Sequence, residues 1–318
     1  MLTYSVVICT LDRLDGLKRC IVSWLNERPL PCDIIVVHGR EDGALEKYLL
    51  GLVAGKGLEL CYLRMPASLV RQRNAGLKRA KGDIVFFADD DAIYLNSYAE
   101  NILEIYEDDF NKEIGGVQGT IINANSSKYA RWGIANLFWF IHHNGDGTLQ
   151  PSAWPSFHRP SANQVPVEVF SGTVMSFRRE VLQEFHFDEA LAGYWVGDDF
   201  DIAYRVSRKF KLIQAPNARA IHYQSPVGRD NLRRLYRMMV VNHYYLFNKH
   251  FGKLWNRWFC WAWSDIGQCF LAVFWYLVGK GPGGLLGMID GYRELLITAR
   301  RGKIKAPPQI PGRSPWTE

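Results

Sequence analysis

The run Phe86-Phe87-Ala88-Asp89-Asp90-Asp91 closes an apolar segment with three consecutive carboxylates. Grouped acids repel one another, and a divalent cation relieves that repulsion. A hard ion such as Mg²⁺ or Mn²⁺ takes carboxylate oxygen and keeps positions open for a phosphate-bearing ligand. The plainer alternative is a helix N-terminus decorated with acids, which the helix dipole favours. A second acidic group is Gly197-Asp198-Asp199-Phe200-Asp201. Asp198, Asp199 and Asp201 cannot all face one cap, so one carboxylate projects beside Tyr194 and Trp195, where it can act as a general base on a hydroxyl. His222 follows Arg219-Ala220-Ile221, where a strand would leave the sheet. It reads either as a structural histidine or as a ligand that completes a metal shell or meets a phosphate. The run Arg233-Arg234-Leu235-Tyr236-Arg237 is a phosphate contact or a solvated helix face.

These groups need elements to hold them. Tyr4 to Cys9, Asp33 to His38, Leu58 to Leu63 and Asp83 to Ala88 are nearly continuous apolar runs, as strands buried on both faces require. Leu14, Leu17, Ile21, Trp24 and Leu25 recur at helical spacing, and Ser68 is placed to cap a helix reaching Ala80. Strands alternating with helices predict βαβ units and a parallel sheet, whose ligands sit beyond the carboxyl ends of the strands. Further strands are expected at Val117 to Ile122, Val167 to Phe170, Thr173 to Phe177 and Lys211 to Ala215. The Pro- and aromatic-rich stretch from His142 to Pro166 reads as one long loop, a length associated with lids and binding loops. From Asn231 a helical pattern resumes, with Leu232, Leu235, Met239, His243 and Leu246 on one side.

Charge divides the chain. Residues 1–228 carry 24 Lys/Arg against 27 Asp/Glu, whereas residues 229–318 carry 14 against 5. The basic part also holds Trp258 to Gly279, an apolar stretch whose single charge is Asp265. It is long enough to span a bilayer, but Asp265 and Gln268 make a crossing costly, and Trp255, Trp258, Trp261, Trp263 and Trp275 favour the headgroup boundary. A helix lying in the membrane plane or re-entering it is therefore expected over a span; burial in a soluble body is the competing account. Basic charge interleaved with Trp and apolar runs points to anionic lipid and not to nucleic acid. The six cysteines show neither CxxC nor metal-ligand spacing, which suits a reducing compartment. Met1-Leu2-Thr3-Tyr4 leads into a strand without a basic leader, so the expected location is the cytoplasmic face of the cell membrane, peripheral or with one C-terminal embedded segment. Neither GxGxxG nor GxxxxGK[ST] occurs, which disfavours a dinucleotide enzyme or a P-loop ATPase.

Taken together, the motifs resemble glycosyltransferase family 2. The resemblance is carried by Ser5-Val6-Val7-Ile8-Cys9-Thr10-Leu11-Asp12-Arg13, by Arg73-Asn74-Ala75-Gly76 with the run Gly82 to Asp91, by Phe170-Ser171-Gly172-Thr173 through Phe187-Asp188-Glu189, and by Gly197 to Asp201. It covers about residues 3–225. It implies an α/β fold of the GT-A type: a Rossmann-like, mostly parallel central sheet flanked by helices. To this the charge and tryptophan pattern adds a C-terminal helical, membrane-associating extension. The implied divisions are a catalytic domain over 1–228 (donor half 1–115, acceptor half 116–228), a helical region over 229–304 and a flexible tail over 305–318.

The resemblance implies an inverting, metal-dependent transfer of sugar from a UDP-, dTDP- or GDP-sugar to a hydroxyl of a glycan or lipid-linked acceptor, in cell-surface polysaccharide or glycan synthesis. Thr10, Asp12, Arg13, His38, Arg73, Asn74, Asp89 and Asp90 would bind the nucleotide-sugar. Asp91, with His222, would ligate Mg²⁺ or Mn²⁺. Asp199 would be the base, and Gly172, Trp195 and Asp198 would line the acceptor side. His38 stands where the family usually carries Asp, which puts uracil in doubt and favours thymine or guanine. Asp198 replaces the usual Glu. A sugar nucleotidyltransferase and a non-catalytic, membrane-docked binding protein are the rival readings, and a homo-oligomer is left open.

Overall fold

Alternating apolar residues along the first strands face two separate cores. Tyr4, Val6, Ile8, Ile34, Val36, Ile84 and Phe86 point to one side of the sheet, and Val7, Ile35, Val37, Val85 and Phe87 to the other. This is the period of two that a pleated strand imposes, with both faces covered by helices. The computed structural model describes residues 1–11, 13–40, 43–123, 133–191, 197–223 and 231–300. The expected tail over 305–318 lies outside the described residues, as do Asp12, Tyr194 and Trp195.

Four strands form the first half: β1 (Tyr4–Thr10), β2 (Asp33–His38), β3 (Glu59–Arg64) and β4 (Ile84–Asp89). They pair in parallel in the order β3-β2-β1-β4. The crossovers are α1 (Leu14–Leu25), α2 (Gly43–Val53) and α3 (Leu69–Leu77). β3 is only partly buried because it lies at the sheet edge. Ser68 occupies the N-cap of α3, but its hydroxyl makes no capping bond; the Gln72 side-chain oxygen accepts the Ser68 N–H instead, at 3.3 Å. Gly76 lets α3 lie close on the sheet, since a Cβ there would come within 2.3 Å of Val7.

The second half adds β5 (Ala92–Tyr94), α4 (Tyr98–Glu107), β6 (Ile114–Ile121), α5 (Ile134–Leu137), β7 (His142–Gly145), β8 (Thr148–Leu149), β9 (Pro155–His158), β10 (Val165–Val167), β11 (Met175–Arg178), α6 (Val181–Glu184), α7 (Asp198–Ser207) and β12 (Lys211–His222). The large sheet runs β10-β12-β6-β11-β4-β1-β2-β3, with β5 against β12. Strands β1 to β4, β6 and β12 share one direction; β5, β10 and β11 oppose them, so the sheet is mostly parallel. The expected loop from His142 to Pro166 is corrected: it holds the small sheet β7-β9-β8. Strands of two to four residues carry too few alternations to show in sequence.

Three long helices follow: α8 (Leu232–Phe251), α9 (Arg257–Leu277) and α10 (Gly283–Arg300). The Asn231 side chain caps α8 by accepting the Arg234 N–H at 2.9 Å. Leu246, Phe247 and Phe251 of α8 enter the core on the α3 and α7 side, so this helix is built into the body and not appended to it. α9 and α10 pack on α8 through Val240, Ala272 and Met288. Among the described residues, no helix is long and apolar enough to cross a membrane.

Candidate active site

The carboxyl ends of β1 and β4 meet each other through Thr10 and Asp90, and the end of β4 meets the last residues of β12 and, through Arg73, the start of α7. Three extra residues bulge out of β12 between its pairings with Gln118 and Thr120, and the strand then runs antiparallel to β5 with His222 opposite Ala92. That register sets the imidazole beside Asp91. The His222 Nε2 lies 3.1 Å from Asp91 Oδ1 and 3.9 Å from Asp89 Oδ2. Ligand atoms of Asp89, Asp91 and His222 all fall within 4.8 Å of one another. Two carboxylate oxygens and one imidazole nitrogen make a donor set for a hard or borderline divalent cation.

Thr173 orients this group. Its hydroxyl donates to Asp89 Oδ2 at 2.6 Å and lies 3.3 Å from His222 Nδ1. A hydroxyl has one proton, here spent on Asp89, so its oxygen accepts from Nδ1–H and Nε2 is the nitrogen turned to the carboxylates. Tyr94 fixes Thr173 in turn by donating to its carbonyl at 2.6 Å. Asp90 points elsewhere. It accepts from Thr10 Oγ1 at 2.7 Å and from Arg13 Nη1 at 2.9 Å, and the same Arg13 nitrogen reaches Asp91 Oδ2 at 3.1 Å. Burial pushes the Asp90 pKa up to about 6, although Arg13 and Thr10 pull it down.

Arg73 divides this cluster from the acids of α7. It is buried, pairs with Asp198 through Nη1, and places Nη2 3.5 Å from Asp89 Oδ1 and 3.4 Å from the Gly172 carbonyl. Gly172 has no room for a side chain, because a Cβ would come within 2.7 Å of Arg73. Asp199 accepts from Gly172 N and from Phe200 N, each at 2.9 Å. Burial, then the neighbouring Asp198 charge, raises its pKa to about 6. Asp201 faces away, toward Lys249, His250 and Arg205, which hold its carboxyl well below the usual range despite complete burial. Of the three acids, Asp199 alone combines partial exposure with a raised pKa.

The model of glycosyl transferase family 2 matches residues 5–185. The chain belongs to that family. A relative in Bacillus subtilis (strain 168), the uncharacterized glycosyltransferase YwdF, is 26% identical over 232 residues, covering 71% of this chain and 76% of the relative. Among solved structures, GalNAc-T7 with UDP, GalNAc and Mn²⁺ superposes with a TM-score of 0.57 at 17% identity, over 94% of this chain and 58% of that one. This chain thus spans little more than half of GalNAc-T7. The mannosyltransferase PcManGT from Pyrobaculum calidifontis, in complex with GDP-Man and Mn²⁺, gives 0.54 at 14% identity, over 95% and 83%. The protein is a glycosyltransferase with a GT-A fold.

Within this family 2 site, several expected nucleotide contacts are committed inward. His38 does not present a ring nitrogen to a base: Nδ1 meets Tyr62 Oη at 2.7 Å, and Nε2 meets the Leu11 carbonyl at 2.8 Å. Asn74 is spent on the segment after α6, donating to the Phe187 carbonyl at 2.9 Å and to Glu189 at 3.1 Å, and accepting from Phe187 N at 3.0 Å. Thr10 and Asp90 hold each other, and Asp198 is held by Arg73 instead of facing an acceptor. Asp89, expected to bind the nucleotide-sugar, offers one of the three ligand atoms of the candidate cation group. Asp12 and Trp195 lie outside the described residues. Two contributors escaped sequence reasoning. Thr173 stands in the Phe170 to Thr173 motif with no role implied for its hydroxyl, and Gln72, whose amide spans the Thr10 and Val37 carbonyls at 3.2 and 2.8 Å, gives no local signal.

Proposed function

We propose that this glycosyltransferase is inverting and metal-dependent, and moves a sugar from a nucleoside-diphosphate sugar to a hydroxyl of a glycan or lipid-linked acceptor. The observation that carries this reading is the division of labour around Arg73: a three-donor cation group on one side and a single proton-accepting carboxylate, Asp199, on the other. A divalent cation held by Asp89, Asp91 and His222 would neutralise charge growing on the departing diphosphate. The imidazole donor favours Mn²⁺ over Mg²⁺, which prefers an all-oxygen shell, and both structural neighbours contain Mn²⁺.

The chain's own residues supply the remaining chemistry. Asp199 takes the acceptor hydroxyl's proton as that oxygen bonds to the anomeric carbon and the carbon–oxygen bond to the diphosphate breaks. One displacement from the opposite face inverts the anomeric centre. The Gly172 and Phe200 amides fix the Asp199 carboxylate. The neighbours contain UDP and GDP-Man, so UDP- and GDP-sugars head the donor candidates, with dTDP-sugars behind them. The test is a screen of nucleotide-sugars for Mn²⁺-dependent release of nucleoside diphosphate with glycan and lipid-linked acceptors, followed by the anomeric configuration of the product by NMR. An inverted linkage is expected, with kcat about 10²- to 10⁴-fold lower in Asp199→Asn. A retained configuration, or full activity in excess chelator, would overturn the reading.

A further inference from the structure

α9 has its polarity inside out. Its buried residues include Ser264, Asp265 and Gln268, whereas Phe259, Ile266, Phe270, Phe274 and Leu277 are exposed on one stripe at helical spacing, with Trp263 beside them. Phe270 is 62% and Leu277 74% exposed. From Phe259 to Leu277 the stripe runs about 27 Å at a rise of 1.5 Å per residue. A soluble helix buries such a stripe and leaves its carboxylate in water. Here the reverse is locked in. Asp265 Oδ1 meets His243 Nδ1 at 3.0 Å, Asp265 Oδ2 accepts from Tyr292 Oη at 2.8 Å, and His243 Nε2 meets the Ser152 carbonyl at 2.6 Å. Gly267 fits against Phe138, and Trp263 Nε1 donates to the Leu137 carbonyl at 2.8 Å. Rolling α9 to bury its apolar stripe would take Asp265 away from both His243 Nδ1 and Tyr292 Oη, so the outward stripe is built into the packing.

We propose that α9, with α10 beside it, is a lipid-facing platform that lays the enzyme flat on an anionic membrane surface. Charge selects this occupant. The acids of the three helices are all paired: Asp265 is buried against His243, Asp290 is held by Arg233 and Glu294 by Arg237. The exposed charges are basic: Lys253 before α9, Lys280 after it, and Arg293 among the exposed Leu286, Ile289 and Leu296 of α10. An apolar stripe bracketed by lysines matches acyl chains below an anionic headgroup layer. A second copy of the chain fits worse, because a two-fold contact would set these basic borders against each other. α9 rests on Leu137 and Phe138 of the acceptor half, and α8 beside it contacts Ser152 and Trp154 through His243, so the platform would hold that side of the cleft near the membrane.

The experiment is flotation of the full chain with phosphatidylcholine vesicles and with vesicles in which part of that lipid is replaced by phosphatidylglycerol. The readout is partitioning, not sugar transfer, so its result is independent of the proposed reaction. Strong binding to the anionic vesicles is expected, weakened by salt, and reduced about tenfold or more in Ile266→Glu/Phe270→Glu and in Lys253→Glu/Lys280→Glu. Melting curves check that the variants fold; should the glutamate pair unfold, the lysine pair, at exposed positions outside the helices, carries the test. Absence of the wild-type chain from the floating fraction overturns the proposal, as does flotation of both variants at the wild-type level. A wild-type dimer that fails to float and that Ile266→Glu/Phe270→Glu converts to a monomer assigns the stripe to a second copy instead.

Discussion

At the scale of single residues, one hydroxyl proton organises the cation group. Thr173 donates to Asp89 and accepts from His222, fixing both a carboxylate and a ring tautomer. Thr173→Val keeps the shape and removes both bonds. Loss of an outer partner of this kind lowers metal affinity about 10- to 100-fold. Mn²⁺ titration followed by electron paramagnetic resonance should show that loss with an unchanged melting curve, and unchanged affinity would remove Thr173 from the site. Asp199 sets a second expectation. Its pKa is raised to about 6 by burial and by Asp198, and only the ionised form accepts a proton. The rate should therefore be level above that pH and fall about tenfold per unit below it. A profile flat down to pH 5 would exclude Asp199 as the base.

At the scale of elements, α3 shows how one short helix serves three segments. Gln72, Arg73 and Asn74 are consecutive and buried, and each step along a helix turns about 100°, so they reach different neighbours. Gln72 ties the ends of β1 and β2, Arg73 joins Asp89 to Asp198, and Asn74 pins the segment after α6. Between α7 and α8 the corresponding link is Asp201, fully buried against Arg205, Lys249 and His250. Asp201→Asn leaves Arg205 and Lys249 facing a neutral amide and should cost about 3–5 kcal/mol in urea denaturation at neutral pH. The His250 hydrogen bond and the Lys249 and Arg205 charges hold the folded-state pKa below its unfolded value. The stabilisation is thus complete above the ordinary aspartate pKa near 3.9 and is lost as pH falls through the depressed value. Wild type and variant should converge in stability in strong acid, and a gap that persists there would refute the ionic account.

At the scale of the whole molecule, the catalytic sheet and the C-terminal helices share a core. α8 supplies Leu246, Phe247 and Phe251 to the body, and α9 and α10 attach to it by the His243–Asp265–Tyr292 chain and by contact with Phe138. Gly267 is a close point of this contact, since a Cβ there would sit 2.4 Å from the Phe138 ring. Gly267→Val should destabilise the protein by about 1–3 kcal/mol through overpacking. Hydrogen exchange should quicken in α9 and α10, while Mn²⁺ affinity at Asp89, Asp91 and His222 stays at the wild-type level. Equal exchange in both proteins would show that α9 is not anchored through this contact.

The features legible from residues alone are those with local causes. Strands β1, β2 and β4 announce themselves as apolar runs because both of their faces are covered, and β4 ends in carboxylates where a parallel sheet presents its ligand edge. Tertiary structure decided what each acid does. Asp89, Asp90 and Asp91 are adjacent, yet one meets Thr173, one Thr10 and Arg13, and one His222, partners from 77 to 131 residues away. Asp198, Asp199 and Asp201 likewise part only when Arg73, Gly172 and the end of α8 are packed around them. The orientation of α9 has the same origin: apolar content marked the helix, but the inward pull of His243 and Tyr292 on Asp265 turned its stripe outward. Burial and partner identity set a side chain's charge state and direction, and both are properties of the packed chain, invisible in any window of neighbouring residues.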